Sequence, residues 1–405
     1  MGDQAMPHSF RSLRDLPSQP GRVLVRADFN VPLDHGRVSD DTRIRETLPT
    51  LAALHAKGAR VILCSHLGRP KGKPDPRYSL RPVAERLSRL LSEHLGHDVP
   101  VGFCPVTVGL EAEEMSQSLE PGGFLLLENL RFQPGEEAND PEFARQLAQL
   151  ADVYINDAFG SAHRAHASTA GITRHLPLAL AGRLMEKELQ YLGRALHTPE
   201  HPYVVILGGA KISDKIPVLA SLARQADVIL IGGGMAYTFL AAQGIAIGDS
   251  LFEPEQTATA RDLLQQSQAG KFQLLLPVDH VVAPRLAPGV KSEIVTEIPA
   301  GQKALDIGPQ TRSLYASALA GARMILWNGP MGVFEVPPFD QGTLAVAQAV
   351  AATPAVSIVG GGDSVAAVHA VHLADRMSHI STGGGASLEY LSGAVLPGVA
   401  ALTPA

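Results

Sequence analysis

Arg43, His66, Arg69, Arg131 and Arg164 all stand before residue 170, together with Asp28 and Asn30. A guanidinium presents a planar fork that matches phosphate or carboxylate, and Asp or Asn can hold hydroxyl or guanidinium groups around such a ligand. After residue 200 the pattern changes to glycine: Gly208-Gly209, Gly232-Gly233-Gly234, Gly360-Gly361-Gly362 and Gly383-Gly384-Gly385. Bare amides admit a phosphate, and a helix start behind them adds partial positive charge. Two ways of holding an anion, one in each half, point to two anionic ligands.

The glycine-rich half carries its own side-chain chemistry. Gly208 to Lys215 reads GGAKISDK and is not a Walker A loop, since Gly-x-x-x-x-Gly-Lys-Ser/Thr is absent from the chain. Lys211 and Lys215 share one face if a helix starts near Lys211; the plain alternative is a surface lysine pair. Asp363, after the triplet Gly360 to Gly362 and before Ser364, is placed to hold Mg²⁺ against phosphates or to cap a helix, and the two roles are compatible. Trp327-Asn328-Gly329-Pro330 and the residues on to Glu335 form a further special segment. Its Trp suits a core position, whereas Asn328 and Glu335 could meet a nucleotide's phosphate and ribose.

These residues need elements to position them. Short apolar runs at 22–27, 60–65, 124–127 and 153–155, then 203–207, 228–231, 272–276, 324–327 and 356–359, read as buried parallel strands. Helical patterns lie between them, notably 43–57, 80–95 and 142–150. Nearly every unusual polar cluster follows directly after one of the apolar runs. Ligands of open α/β sheets bind beyond the carboxyl ends of the strands, so the clusters are expected to converge there. At 405 residues the chain exceeds one core, and two domains of roughly 200 residues are expected. Residues 183–196 suit a connecting helix with hinges at its ends, or equally an ordinary core helix.

Composition narrows the partners. A net charge of −6 argues against a general nucleic-acid surface, so any cationic site is local. Cys64 and Cys104 lie in or beside apolar segments and read as buried thiols without a disulfide framework. No stretch approaches the ~18 apolar residues of a membrane span. Met1 to Phe10 lacks a secretory pattern, and Met6 stands where myristoylation needs Ser or Thr, so a cytoplasmic location is expected.

Taken together, VRADFNVP from Val25, SHLGRP from Ser65, ENLRF from Glu128 and NDAFGSAHRAH from Asn156 resemble the phosphoglycerate kinase family. The Lys211/Lys215 loop, Asn328 to Glu335 and the two later glycine triplets continue the likeness in family order from about residue 22 to residue 390. Ser364 and Ser161 stand where the family often has Thr, and each keeps a hydroxyl.

The resemblance implies two doubly wound, Rossmann-like parallel-sheet α/β domains joined by a helical hinge. Residues 1–182 would bind phosphoglycerate, 183–198 form the hinge, 199–390 bind nucleotide, and 391–405 return to the first domain. It implies 3-phosphoglycerate or 1,3-bisphosphoglycerate on Asp28, Asn30, Arg43, His66, Arg69, Arg131 and Arg164. ADP or ATP would lie on Lys215, Gly233, Asn328, Glu335, Gly360, Gly361, Gly362, Asp363 and Ser364, with Mg²⁺ on Asp363. Arg43, Lys211 and the amides of Gly361 and Gly384 would stabilise the transferring phosphoryl group, and the protein would act as a monomer.

The family's reaction needs no general base, which agrees with a chain lacking an evident Ser-His-Asp or Cys-His constellation. Two rivals remain at this stage. A non-enzymatic two-domain anion-binding protein would explain the hinge and cationic pocket but not the lysines, glycine loops and Asp363 together. A nicotinamide-dependent dehydrogenase shares the fold class, but Gly-x-Gly-x-x-Gly occurs at neither later triplet.

Overall fold

A computed structural model describes residues 10–405, so the reading of the first nine residues lies outside the described part. The described chain divides into two compact units, one running to Gln190 and resuming at Val395–Ala405, the other Tyr191–Ala394. The first division falls inside the Arg183–His197 helix.

The first unit is built on six parallel strands: β1 (Arg22–Ala27), β2 (Arg60–Cys64), β3 (Val101–Cys104), β4 (Phe124–Leu127), β5 (Val153–Asp157) and β6 (Ala179–Ala181). Their spatial order is β3-β4-β2-β1-β5-β6. Alternation along β1 shows why the apolar runs are continuous. Val23, Val25 and Ala27 join one core with Leu48, Leu51, Val83 and Leu87. Leu24 faces the other, with Ile62, Leu125, Phe143 and Leu147. Each fully buried Leu or Ile contributes roughly 1.5–3 kcal/mol, so both faces demand apolar residues.

The second unit has β7 (Tyr203–Leu207), β8 (Val228–Ile231), β9 (Gln273–Leu275), β10 (Met324–Asn328), β11 (Val356–Gly360) and β12 (His379–Ile380). Its order is β9-β8-β7-β10-β11-β12, with every pairing parallel. This is a doubly wound sheet whose winding reverses between β7 and β10, so their ends open a crevice. Ile206 and Trp327 pack with Tyr315, Leu319, Val346 and Val350 from the helices Pro309–Ala320 and Gln341–Ala352. Trp327 is fully buried and donates from its indole to the Gly329 carbonyl at 2.8 Å, the core role its type suggests. Both cysteines are buried and unpaired, and burial pushes the Cys64 thiol up to about 12.

Two devices tie the elements to the sheet ends. In the first unit Asp157, at the end of β5, accepts from the amides of Leu184 at 2.9 Å and Met185 at 3.2 Å. Its carboxylate thus caps the start of the Arg183–His197 helix, although burial pushes its pKa up to about 6. The last residues seat on the same unit, with the Gly398 amide donating to Ala162 and the Thr403 amide to Ala179. A three-stranded antiparallel sheet of Glu293–Val295, His280–Ala283 and Lys303–Ile307 adds to the second unit and has no counterpart in the sequence reading.

In the second unit Gly329 has φ +104, and a Cβ there would lie 2.2 Å from the Gly208 carbonyl oxygen. The close approach of the β7 and β10 loops therefore requires glycine. Gly329→Ala is expected to cost the second unit about 3 kcal/mol, combining left-handed strain with a backbone clash. Trp327 is the chain's single tryptophan and lies in that unit, so its fluorescence in a urea titration reads the loss directly. An unchanged midpoint would show that the two loops can part without cost.

Candidate active site

In the first unit the ends of β1, β2 and β5 and the segment after β4 surround a cavity of about 190 Å³. Asn30, His66, Arg69, Arg131 and Arg164 line it with Ser161. Asn30 is oriented by the Gly68 amide, which donates to its Oδ1 at 2.9 Å. Arg131 is almost buried and donates to the Gly68 carbonyl at 2.7 Å, while its Nε lies 3.2 Å from Glu137. Arg69 and Arg164 are exposed at the rim. Asn129, two residues before Arg131, bonds both the amide and the carbonyl of Leu67. It shapes the loop after β2.

Asp28 and Arg43 form an ion pair at 2.5 Å beside this cavity. Burial pushes the Asp28 carboxyl up, but the Arg43 guanidinium, with His66, Arg26 and the Asn30 amide, outweighs it and holds the pKa below the ordinary value. Burial lowers the histidines instead: His66 well below its usual value and His166 to about 4, with Arg26 and Arg131 acting in the same direction. Arg69, Arg131 and Arg164 are thus the cavity's fixed cations. A larger open recess of about 960 Å³ lies between Gly36–Asp41 and Pro82–Arg89, but its Asp41 is already shared by Arg45 and Arg86. None of the expected site residues lines it.

Sequence reasoning missed three groups behind the cavity: Arg26, Glu136 and Ser168, all buried and joined by hydrogen bonds. A signal existed for Arg26, an arginine inside an otherwise apolar strand.

In the second unit Gly208, Gly233, Gly329 and Gly361 meet around the crevice between β7 and β10. Lys215 is half-buried and donates to Asn328 Oδ1 at the end of β10. Burial lowers its pKa, while Asp214 and Asp363 act against that shift, so the Asp363 carboxylate lies within electrostatic reach of the amine. The expectation that Lys211 and Lys215 share a helical face is not met. The helix is Ile216–Leu222 with Lys215 as its N-cap, and Lys211 stands exposed in the preceding loop. Pro217 suits a first turn, and the Ser213 hydroxyl and amide pin the loop to Glu253 at 2.6 and 3.1 Å.

Gly361, with φ +86, is the N-cap of Gly362–Ala370 and packs against the Asn328 amide. Asp363 sits exposed in the first turn, whereas the buried Ser364 hydroxyl accepts from the Gly329 amide at 2.6 Å. Gly384 caps the short helix Gly385–Leu391. Gly233 has already committed its N–H to the Met331 carbonyl at 2.9 Å, so it spaces the loops here. Glu335 is exposed on the loop after β10 and makes no bond to these groups among the described residues.

Fold and site together define a two-unit α/β protein with an arginine-lined cavity in one unit and glycine-capped helix starts in the other. The family model for phosphoglycerate kinase matches residues 13–394. The phosphoglycerate kinase of Koribacter versatilis is 57% identical over 397 residues, covering 97% of this chain and 98% of that one. That of Moorella thermoacetica is 56% identical over 394 residues, with 97% and 98% covered. The solved phosphoglycerate kinase of Coxiella burnetii matches with a TM-score of 0.87 at 42% identity, covering 97% of this chain and 98% of that one. The chain belongs to the phosphoglycerate kinase family.

Arg43→Met leaves Asp28 buried without its counter-charge; because Arg43 is 36% exposed, the expected cost is about 1–3 kcal/mol near neutral pH. The sign of the pH effect follows from the depressed Asp28 pKa. The pair's stabilisation is present above the unfolded carboxylate value and is lost as pH falls through the folded one. The gap between variant and wild type should therefore hold from about pH 7 to about pH 4 and close only as the pH falls further. Urea unfolding followed by far-UV circular dichroism measures it, and a gap independent of pH would remove the ion pair from the account.

Proposed function

We propose that the chain catalyses reversible phosphoryl transfer between 3-phosphoglycerate and ATP, giving 1,3-bisphosphoglycerate and ADP. The observation that carries this reading is the division of anion sites within a chain of this family. Arginines and a neutral histidine line a small cavity in one unit, and glycine-capped helix starts accompany Lys215, Asn328 and Asp363 in the other. The non-enzymatic anion-binding alternative finds no support in the family match.

In this reading Asp28, Asn30, Arg43, His66, Arg69, Arg131 and Arg164 hold the phosphorylated acid. Lys215, Asn328, Glu335, Gly360 to Ser364 and the Gly233 turn hold or shape the site for the nucleotide. An oxygen of the phosphoglycerate carboxylate forms a bond to the γ-phosphorus, and the bond from that phosphorus to the β–γ bridging oxygen breaks, leaving ADP. The attacking carboxylate carries no proton, so no general base is needed. The requirement is in-line placement and neutralisation of charge on the transferring group. Arg43, Lys211 and the amides of Gly361 and Gly384 meet that requirement by charge and hydrogen bonding. Because the two substrates bind to different units, transfer includes a closure that brings them together and excludes water.

Mg²⁺ fits the donor set as a nucleotide-borne ion. No group of three or more His, Cys, Asp or Glu among the described residues could cage a metal, while Asp363 is one exposed carboxylate beside a glycine-capped helix start. One carboxylate completed by substrate phosphates is the arrangement Mg²⁺ favours. Bound there, it would neutralise phosphate charge and orient the nucleotide. The reading also places the enzyme in the cytoplasm as a monomer; among the described residues no helix is long and apolar enough to cross a membrane.

Mixing the protein with 3-phosphoglycerate, Mg-ATP and hydroxylamine should trap the acyl phosphate as a hydroxamate in step with ADP release. No metal-dependent hydroxamate would defeat the proposal. Lys211→Ala and Arg43→Ala are each expected to lower kcat by about 10²-fold or more, comparable to losing a preorganised electrostatic donor. Near-wild-type turnover in either variant would remove that residue from the mechanism.

A further inference from the structure

Behind the arginine-lined cavity lies one cation that phosphoryl transfer does not use. Arg26 lies on β1 between Val25 and Ala27 and is only 1% exposed. Its Nε donates to the Ser168 hydroxyl at 2.9 Å, its Nη1 to the Ala27 carbonyl, and its Nη2 lies 3.1 Å from His66 Nδ1. Ser168 in turn donates from its hydroxyl and its amide to the two Glu136 carboxylate oxygens at 2.6 and 3.0 Å. Glu136 is fully buried. The guanidinium is thus linked through a serine to a carboxylate, and its remaining arm is committed to an imidazole.

That contact dictates the state of the ring. Guanidinium is a donor only and keeps its proton in proteins, so the nitrogen facing it must be the acceptor. An imidazole accepting at Nδ1 carries its single proton on Nε2; an imidazolium would set N–H against N–H. We infer that Arg26 is a positioning residue that fixes His66 as the neutral Nε2–H tautomer, so that the ring offers the cavity's anion one constant hydrogen-bond donor. That the anion is phosphoglycerate rests on the function proposed above; the tautomer does not.

The groups facing His66 support a neutral ring. Asp28 alone favours the imidazolium, whereas burial, Arg26, Arg131 and Arg43 oppose it. A charged ring would also add a further cation to a wall already crowded with guanidinium. The consequence is that His66 adds no change of charge to the pocket through the pH range where a free histidine titrates.

Long-range ¹H–¹⁵N spectra of the ligand-free full chain test this directly, with His66 assigned by the signal lost in His66→Gln. The expected result is a pyrrole-type Nε2, a pyridine-type Nδ1 and no titration between about pH 5.5 and about pH 8. An Nδ1–H ring, an imidazolium, or a titration inside that window in the wild type overturns the inference. Arg26→Met should give mixed tautomers, with 3-phosphoglycerate bound about tenfold more weakly by calorimetry. Arg26→Lys, which keeps a donor, should restore the tautomer. Arg26→Met/Glu136→Gln removes both buried charges together and serves where the single variant does not fold. A His66 spectrum unchanged in the Arg26→Met or the double variant denies Arg26 the role. If the wild type fails to bind 3-phosphoglycerate, the proposed function falls while the spectrum still decides the tautomer.

Discussion

A parallel sheet buried on both faces leaves one place for chemistry, the edge where its strands end and the next helices begin. Both units obey that constraint. In the first, Asp28, His66 and Asp157 lie at or just beyond the ends of β1, β2 and β5; in the second, Gly208, Asn328 and Gly361 follow or close β7, β10 and β11. The cores cannot accept these groups, and the helix starts supply amides and partial positive charge at the same edge. The placement of function follows from burial.

The same edge sets the electrostatics. Charges there are partly removed from water, so each must be paired or kept neutral. Asp28 stays ionised because Arg43 and Arg26 surround it, and His66 stays neutral because the same cations and burial act on it in the opposite sense. Arginine, with a pKa beyond reach of these shifts, supplies a positive charge that burial does not remove. Lys215 shows the complementary case: burial lowers its pKa, and nearby Asp214 and Asp363 restrain the fall.

Much of this was legible in the chain. The long apolar strands announced themselves because burial on two faces leaves no polar interruption, and the polar clusters stood out by following them. The short strands were not visible: Val101–Cys104 contains Gly102, Ala179–Ala181 is mostly alanine and His379–Ile380 has two residues, so none makes an apolar run. Arg26 was visible as a charge in an apolar strand, but its role was not, because Glu136 and Ser168 arrive from distant sequence. The lysine spacing misled because Lys211 and Lys215 are four apart in a loop, where helical periodicity does not apply.

The division between side-chain forks and backbone amides has a physical logic. A small acid with a phosphate and a carboxylate has a fixed shape, and planar guanidinium groups held by Gly68, Asp28 and Glu137 can select that shape. A nucleotide must instead be held both before and after it gives up its terminal phosphoryl group. Amides at a helix start bind by dipole and tolerate that change, while a cluster of fixed cations would bind reactant and product unequally. With no proton to remove from the attacking carboxylate, histidine is free of general-base duty. A neutral His66 then suits the pocket better than a charged one, because it orients the anion without making binding depend on pH.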